Sequence, residues 1–247
     1  MIHLGTVLLN HLPRIAVTIT DQETNKQLTS LGVDVLEVRA DRLKEFHPDD
    51  VRKNILHRKK TGLPIILTVR NQKAEGGKGN ISDKRKMEIF QSGIPIVEAV
   101  DIELSSFVLP PVVSLAKKHK KIILVSLHNF QFTPPAIDLE KKFQNARKKG
   151  ADIVKMALQA NSFDDVHRLL EFTLKHKDDH LITMSLGTTG KISRVLFPLA
   201  GSLLTYSYLD CPFAPGQLPA KILQEQLCLY SPSYKEYFSR KRSRRFK

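Results

Sequence analysis

Eight short runs rich in Val, Ile and Leu alternate with amphipathic segments along this chain, and this alternation restricts the possible folds most strongly. Such runs are typical of buried strands, and the segments between them have the spacing of helices that cover a sheet. Strands that alternate with helices pair in parallel, so an α/β protein is predicted. The candidate strands span residues 14–20, 33–39, 65–69, 99–103, 122–126, 153–155, 181–185 and 203–206.

The number and spacing of these units favour one particular α/β fold. Eight units in 247 residues recur at roughly 30-residue intervals, as in a (β/α)8 TIM barrel. We therefore predict such a barrel, with a short N-terminal extension that caps its floor. A doubly wound sheet is the alternative, but no GxGxxG motif follows the first strand to support a dinucleotide site. The clearest helical segments span 21–31, 48–60, 83–91, 107–119, 136–149, 163–176 and 219–230.

Composition excludes several classes of protein. Hydrophobic residues make up 41% of the chain, enough for a large core, yet no apolar stretch reaches the length of a membrane span. The N-terminus lacks a basic segment followed by an apolar one, so a cytoplasmic location is expected. Cys211 and Cys228 do not have zinc-site spacing and the nine histidines are scattered, so no metal is expected.

The net charge of +14 raises the question of a nucleic-acid partner. The chain has no Trp, and its aromatic residues do not alternate with the cations as stacking platforms would, so no such partner is expected. Six cations crowd into residues 240–247 and repel one another. We predict a disordered basic tail over 240–247 and a single catalytic domain over 1–239.

Lys155 stands where a predicted strand ends, within the hydrophobic run 151–157. Burial and nearby positive charge would lower the pKa of its amine, and a pKa of about 7–8 makes a lysine a usable nucleophile for a carbonyl group. The sequence therefore suggests Schiff-base chemistry. The alternative is a strand-end lysine whose amine simply extends to water.

Polar residues cluster at the predicted carboxyl ends of the other strands, where TIM-barrel enzymes have their active sites. Glu37 and Arg39 are alternate residues of one strand, as are Asp101 and Glu103 of another, so both members of each pair can point into the barrel. Such a ring of charges has little structural use and predicts a site for a polar ligand. Further candidates at strand ends or in the following loops are Arg70, Glu75, His128, Arg194 and Gln217.

At these residues the chain resembles the type I 3-dehydroquinate dehydratases. The resemblance extends from about residue 14 to residue 217. Each motif alone is weak, but their order and spacing together are specific. The motifs are LEVRAD at 36–41, Arg70 with Glu75-Gly-Gly, VDIE at 100–103, SLHNF at 126–130, ADIVKMA at 151–157, MSLGTTGKISR at 184–194 and APGQ at 214–217.

The resemblance implies a hydro-lyase of the shikimate pathway that converts 3-dehydroquinate into 3-dehydroshikimate without metal or organic cofactor. Lys155 would form an imine with the C3 ketone of the substrate. His128 would take the C2 proton and deliver a proton to the departing C1 hydroxyl, and Glu75 would orient or tune the histidine. The resemblance also implies a homodimer.

Substrate contacts follow from the same resemblance. Arg194 would hold the C1 carboxylate in a two-pronged contact. Glu37, Arg39 and Arg70 would hydrogen-bond the ring hydroxyls or hold one another in place, and a structural ion pair between Glu37 and Arg39 is an alternative. Gln217 would come from a loop that closes over the substrate.

Phe213 departs from the family pattern, which has a serine at this position. The substitution removes one hydroxyl from the closing loop, and a neutral hydrogen bond contributes roughly 0.5–1.5 kcal/mol. We expect this loss to change affinity but not to abolish imine chemistry. Two other functions remain open: a class I aldolase-type barrel, or a ligand-binding barrel without catalysis. Enone absorbance on addition of 3-dehydroquinate would separate all three.

Overall fold

The computed structural model describes residues 1–70, 76–77 and 81–243. Within these residues, an antiparallel hairpin precedes one curved sheet of nine parallel strands. The hairpin strands are β1 (Ile2–Leu4) and β2 (Val7–Leu9). The sheet contains β3 (Ile15–Ile19), β4 (Val35–Arg39), β5 (Ile65–Thr68), β6 (Ala99–Glu103), β7 (Ile122–Asn129), β8 (Ile153–Gln159), β9 (Leu181–Leu186), β10 (Thr205–Tyr208) and β11 (Leu218–Pro219).

Helices follow the strands and cover the outside of the sheet. Several begin at side chains that accept hydrogen bonds from the first turn, such as Ser162, which caps the sixth helix in a capping box with Asp165. No helix in the described residues has both the length and the apolar character needed to cross a membrane. The helices are α1 (Asn25–Ser30), α2 (Pro48–Lys59), α3 (Asp83–Gly93), α4 (Leu109–Lys118), α5 (Ala136–Lys148), α6 (Phe163–Lys175), α7 (Gly187–Gly190), α8 (Ser193–Leu199), α9 (Ala220–Tyr230) and α10 (Pro232–Ser243).

The sheet closes into a barrel. Strands β3 to β9 pair in sequence order, and β10 returns to pair with β3. On its other side β10 meets β9, where the Leu203 N–H donates to the Leu181 carbonyl at 2.9 Å. Strands β3 to β10 are therefore the eight barrel strands, and the predicted (β/α)8 fold is confirmed. The short β11 pairs with β10 at the rim.

An apolar layer fills the amino-terminal end of the barrel. Leu4 and Leu9 of the hairpin are buried and pack with this layer, as a cap on the barrel floor requires. Apolar residues near the start of each barrel strand point inward and bury one another, which is the main stabilising force for such a core. The layer contains Ala16, Val35, Ile66, Ala99, Leu124, Ile153, Ile182 and Leu204.

Two central strands are longer than the sequence pattern predicted. Strands β7 and β8 pair from Leu124↔Ile153 to Asn129↔Leu158, so each supports the other beyond its apolar core. Lys155 is consequently the third of seven residues of β8 and not its last residue. This length places the amine inside the barrel instead of at its rim.

The C-terminal segment also differs from the prediction. Helix α10 continues through residues 240–243, so the expectation of disorder from residue 240 is wrong for these four positions. Lys241 donates to the Val33 carbonyl at 2.9 Å and pairs with the fully buried carboxylate of Asp34. A buried carboxylate requires a partner, and this need orders the end of the helix. Residues 244–247 lie outside the described residues.

Candidate active site

The polar site lies one layer above the apolar floor. Alternate residues of a strand share a face, so the residue two positions after each floor residue also points into the barrel. At these positions apolar residues give way mostly to polar ones, and the register places Thr18 beside Glu37 and Ser126 beside Lys155. The second layer contains Thr18, Glu37, Thr68, Asp101, Ser126, Lys155, Met184 and Tyr206.

A cavity of about 150 Å³ opens above this layer at the carboxyl ends of the strands. This is the end of a TIM barrel where catalytic sites occur. Seven of the eight site residues predicted from the sequence line the cavity: Glu37, Arg39, Arg70, His128, Lys155, Arg194 and Gln217. The eighth, Glu75, lies outside the described residues.

The amine of Lys155 is buried against two carboxylates. Its Nζ lies 2.9 Å from Asp101 Oδ2 and 3.1 Å from Glu37 Oε1, and 3.8 Å from the centre of the Tyr206 ring. Burial lowers the pKa of Lys155, but the carboxylates of Asp101 and Glu37 outweigh burial and raise the pKa above the ordinary lysine value. The prediction of a lowered pKa is therefore wrong for this structure, because partners remote in sequence set the charge.

Glu37 and Asp101 are held ionised by their surroundings. Burial raises the pKa of Glu37, but the positive charges of Lys155 and Arg39 have the larger effect, so the pKa lies below its ordinary value. The hydroxyl groups of Thr18 and Thr68 donate to its two oxygens at 2.7 and 3.1 Å. For Asp101, burial likewise raises the pKa, and Arg70 and Lys155 bring it well below its usual range. Both carboxylates therefore act as fixed negative charges beside the amine.

Two arginines on neighbouring strands are tied to acidic residues. Arg70 is 1% exposed and its Nη2 donates to Asp101 at 2.5 Å. Arg39 donates through Nε and Nη2 to Asp41 at 3.0 and 2.8 Å, and through Nη2 to the Gly76 carbonyl at 3.1 Å. The alternative of a direct ion pair between Glu37 and Arg39 is wrong in this structure, since Asp41 takes that place.

Arg194 differs from the other cavity arginines because no acidic side chain among the described residues pairs with it. It is 1% exposed, and among the described residues its Nη atoms approach the Met184 sulfur at 3.0 Å and the Pro215 carbonyl at 3.4 Å. Its Nε has no hydrogen-bond partner in the described part of the chain. Burial lowers the pKa of Arg194 to about 10, so the side chain still carries its charge at neutral pH. A buried, uncompensated guanidinium is a ready site for an anion.

His128 is the penultimate residue of β7 and lines the same cavity as Lys155. Its ring stacks on Phe130, with ring centres 6.3 Å apart and an angle of 12° between the planes. The parallel register sets His128 beside Ala157, two residues after Lys155 on the adjacent strand. The imidazole and the amine are thus presented to one bound molecule from neighbouring strands.

A loop over residues 213–217 forms one wall of the cavity. Gln217 is 8% exposed, and its amide oxygen accepts from the backbone N–H groups of Phe213 and Ala214 at 2.6 and 3.1 Å. Gly216 has φ +79°, and a Cβ there would lie 2.5 Å from the Gly187 carbonyl oxygen. Only glycine satisfies both constraints, so the loop is closely docked on the turn after β9. Phe213 also lines the cavity.

Two residues beside the cavity are not among the eight predicted site residues, although the pattern already placed Asp101 in the ring of charges at the strand ends. Asp101 contacts the Lys155 amine, and its position two residues before Glu103 was the available signal. Tyr206 was treated only as the end of the last predicted strand, although it follows Leu204 of the apolar floor by two positions. Counting alternate residues from the floor would have identified both.

The metal question has a limited answer. Among the described residues, no group of three or more His, Cys, Asp or Glu side chains is arranged to hold a metal ion.

Fold and cavity together define a class of protein: a TIM-barrel enzyme with a buried lysine amine in a charged cavity at the carboxyl ends of the strands. The family model of type I 3-dehydroquinase matches residues 15–233. The chain belongs to this family, and it is therefore a carbon–oxygen lyase of the hydro-lyase type.

Individual relatives agree with this assignment. The 3-dehydroquinate dehydratase of Thermodesulfovibrio yellowstonii is 36% identical over 220 residues, which cover 87% of this chain and 94% of the relative. The crystal structure of the enzyme from Aquifex aeolicus VF5 matches with TM-score 0.76 and 32% identity, over 87% and 97% of the two chains. The Clostridium difficile enzyme, solved with covalently modified comenic acid, matches with TM-score 0.78 and 27% identity, over 88% and 92%.

Proposed function

We propose that this chain removes water from 3-dehydroquinate to give 3-dehydroshikimate, through an imine between Lys155 and the C3 ketone. The proposal depends mainly on one observation: two buried cationic side chains, one an amine and one a guanidinium, line the same cavity. Lys155 offers an amine to a carbonyl, and the guanidinium of Arg194, which pairs with no acidic side chain in the described part of the chain, offers a site for a carboxylate. The substrate is a cyclic keto acid and has both groups.

Imine formation begins with loss of a proton from Lys155. His128, in the same cavity, is proposed to accept this proton, because Asp101 and Glu37 are held ionised. The carboxylates of Asp101 and Glu37, at 2.9 and 3.1 Å, are the groups in contact with the ammonium. The free amine attacks C3, and the carbinolamine loses the ketone oxygen as water. The protonated imine carries the same positive charge as the ammonium, so the two carboxylates that raise the lysine pKa also stabilise this intermediate. The iminium then acts as the electron sink.

His128 supplies the proton chemistry in this proposal. It removes the C2 proton, and the electron pair of that bond moves toward the iminium to give an enamine. The pair then returns to form the C1–C2 double bond as the C1 hydroxyl leaves, protonated by His128 into water. Hydrolysis of the imine restores the Lys155 amine and the C3 ketone, so the net change is the loss of one water. Glu75 is proposed to orient the imidazole.

Binding is divided among the remaining cavity residues. Arg194 is proposed to bind the C1 carboxylate through two N–H groups. Arg39 and Arg70 are held by acidic side chains, so they fix the shape of the cavity, and they are proposed to contact the ring hydroxyls. Glu37 accepts from three neighbours already, and its main effect is on Lys155. Gln217 offers its amide nitrogen, because its oxygen holds the loop.

The setting of the reaction is also a proposal. We place the enzyme in the shikimate pathway of the cytoplasm, as a homodimer that uses no metal or organic cofactor and binds no nucleic acid. The chain is proposed to form one catalytic domain, which includes α10.

Reductive trapping tests the chemistry. The protein is treated with 3-dehydroquinate and borohydride, which reduces an imine to a stable amine, and its peptides are mapped by mass spectrometry. We expect the label on Lys155 alone, together with enone absorbance in the unreduced reaction. Lys86 is an internal control, since it is fully buried but pairs with Glu103 outside the cavity.

Three outcomes would contradict the proposal. A label on Lys86 or on a surface lysine would contradict the assignment of Lys155 as the imine-forming residue. A Lys155 adduct without enone absorbance would favour an aldolase-type reaction. If neither the adduct nor the absorbance appears, the chain is a ligand-binding protein that does not catalyse this reaction.

A further inference from the structure

Tyr206 occupies the last position of the polar layer. It lies on β10, two residues after Leu204 of the apolar floor, and its side chain points into the barrel. It is 2% exposed and lines the cavity that also contains Lys155 and Arg194. A tyrosine at this position therefore belongs to the wall of the active site and not to the outer core.

The ring of Tyr206 lies against the reacting nitrogen. Lys155 Nζ is 3.8 Å from the ring centre, within the range of a cation–π contact. Because the phenol oxygen is directly attached to this ring, the hydroxyl is also close to the nitrogen. Any substrate carbon bonded to Nζ, and the oxygen atoms next to that carbon, would approach the hydroxyl.

The hydroxyl itself is buried, and its proton has no acceptor among the described residues, since the Lys155 ammonium beside it can only donate. Burial raises the pKa of Tyr206 and the Lys155 ammonium lowers it, but the carboxylates of Glu37 and Asp101 act with burial, so the hydroxyl keeps its proton at neutral pH. A buried donor without an acceptor costs stability in the free protein. Because the donor lies on the wall of a cavity, a bound ligand with an acceptor would offset this cost.

We propose that Tyr206 is a further substrate-contacting residue, whose hydroxyl donates a hydrogen bond to an oxygen of the bound keto acid next to the carbon held by Lys155. This inference rests on the proposed function. The ring keeps its contact with the nitrogen as it changes from ammonium to iminium, since the charge is unchanged. The hydroxyl contributes to binding of substrate and intermediate alike.

The substitution Tyr206→Phe tests this, because it removes the hydroxyl and keeps the ring. We expect KM to rise about threefold to tenfold while kcat changes little, as for loss of one neutral hydrogen bond made equally in the ground and transition states. We also expect the variant to unfold at the same temperature as the wild type or a higher one, since no acceptor among the described residues loses a bond. A residue with a purely structural role would give the opposite pattern.

Tyr234→Phe is the matched control. The Tyr234 hydroxyl is equally buried and also lacks an acceptor in the described chain, but it lies in α10, outside the cavity. Its removal should leave KM and kcat unchanged and affect the unfolding temperature in the same direction as Tyr206→Phe.

The outcomes separate this proposal from the proposed function. An unchanged KM in Tyr206→Phe, with an active wild type, would overturn the role of Tyr206 whatever happens to kcat. A lower unfolding temperature in that variant would overturn it too, because the hydroxyl would then serve the fold. A wild type that neither turns over 3-dehydroquinate nor forms the trapped adduct would overturn the proposed function, and the role of Tyr206 with it.

Discussion

At the scale of single residues, the most important feature of the cavity is how its buried charges are paired. Lys155 and Arg70 share the carboxylate of Asp101, while Glu37 balances the amine from the other side. Each of these charges has an opposite partner, as burial requires. Arg194 is different, because the described residues place a sulfur and a carbonyl, and no carboxylate, against its Nη atoms. In the proposed function, the carboxylate of the substrate completes the charge balance of the cavity.

Replacement of Arg194 by glutamine should separate binding from stability. We expect KM for 3-dehydroquinate to rise about tenfold to a hundredfold, since a charge-assisted hydrogen bond contributes about 1.5–3 kcal/mol. The unfolding temperature should not fall, because the substitution removes an uncompensated buried charge. Steady-state kinetics and thermal unfolding measure the two effects.

Arg58→Gln is the control for this variant. Arg58 is 2% exposed and donates to the backbone carbonyls of Glu23 and Thr20, away from the cavity. Its replacement should lower the unfolding temperature and leave KM unchanged. A KM within about twofold of wild type in Arg194→Gln would contradict the assignment of the carboxylate site.

The charge of Lys155 is predicted to depend on Asp101. Burial alone lowers the pKa of Lys155, and Asp101 is the largest influence that raises it. In Asp101→Asn the pKa of Lys155 should therefore fall, and the amine should become reactive at lower pH. The rate of reductive methylation at Lys155, followed against pH by peptide mass spectrometry, measures this shift.

Glu103→Gln provides the comparison. Glu103 is also fully buried, but its carboxylate pairs with Lys86 and Arg70 and makes no ion pair with Lys155 in the described structure. Replacement of Glu103 should shift the pH dependence of reductive methylation at Lys155 much less than replacement of Asp101. An unchanged profile in Asp101→Asn would show that Asp101 does not control the amine.

At the scale of elements, the ends of strands and helices depend on what they contact. Strands β7 and β8 extend past their apolar cores because they pair with each other along their length. Helix α10 extends into the basic tail because Lys241 reaches Asp34 at the start of β4. Tyr237, one turn earlier, donates to the same carboxylate. These contacts convert part of a charged tail into a docked helix.

Two truncations should therefore behave differently. Deletion of residues 244–247 should leave stability unchanged, whereas deletion of residues 240–247 should lower the free energy of unfolding by about 1–3 kcal/mol, because Asp34 loses a charged partner. Turnover should stay within about twofold in both, as residues 240–243 of the basic segment do not line the cavity. Denaturant unfolding and kcat measure these effects.

Lys241→Met in the full chain isolates the contact. It should reproduce most of the loss of stability seen with the longer deletion. Equal stability of the two truncated proteins would mean that the pairing of Lys241 with Asp34 does not hold α10 in place.

At the scale of the whole molecule, the basic charge is distributed and not gathered into one site. Part of it lies in α10, where Lys241 serves the fold. Part lies on surfaces such as the segment 117–121, where lysines follow α4. Inside the cavity, cations and carboxylates are mixed. This distribution is compatible with an enzyme that attracts an anionic substrate.

The proposed homodimer is open to direct measurement. Sedimentation equilibrium of the full chain should give twice the 28.0 kDa of one chain, because closed two-fold dimers are the commonest symmetric assembly. Chelating agents should change neither the mass nor the turnover. A mass of one chain would exclude the dimer, and inhibition by a chelator would contradict the metal-free mechanism.

The fold and most of the cavity residues could be predicted from the sequence because both depend on local patterns. Alternation of strands and helices is visible in hydrophobic periodicity, and a barrel brings the carboxyl ends of its strands together. This placed Glu37, His128 and Lys155 at one end before any contact was known. The motif resemblance extended the prediction to Arg194 and Gln217.

The tertiary structure alone decided the charge state of Lys155, the partners of Arg39 and the order of the C-terminal helix. Lys155 meets carboxylates that are 54 and 118 residues away in sequence, and Lys241 meets Asp34 across 207 residues. The sequence determined which residues face the interior, because that follows from strand periodicity. It could not determine which charges meet there, because a pKa depends on the balance between burial and neighbours within a few ångströms, and only the closed barrel sets those distances.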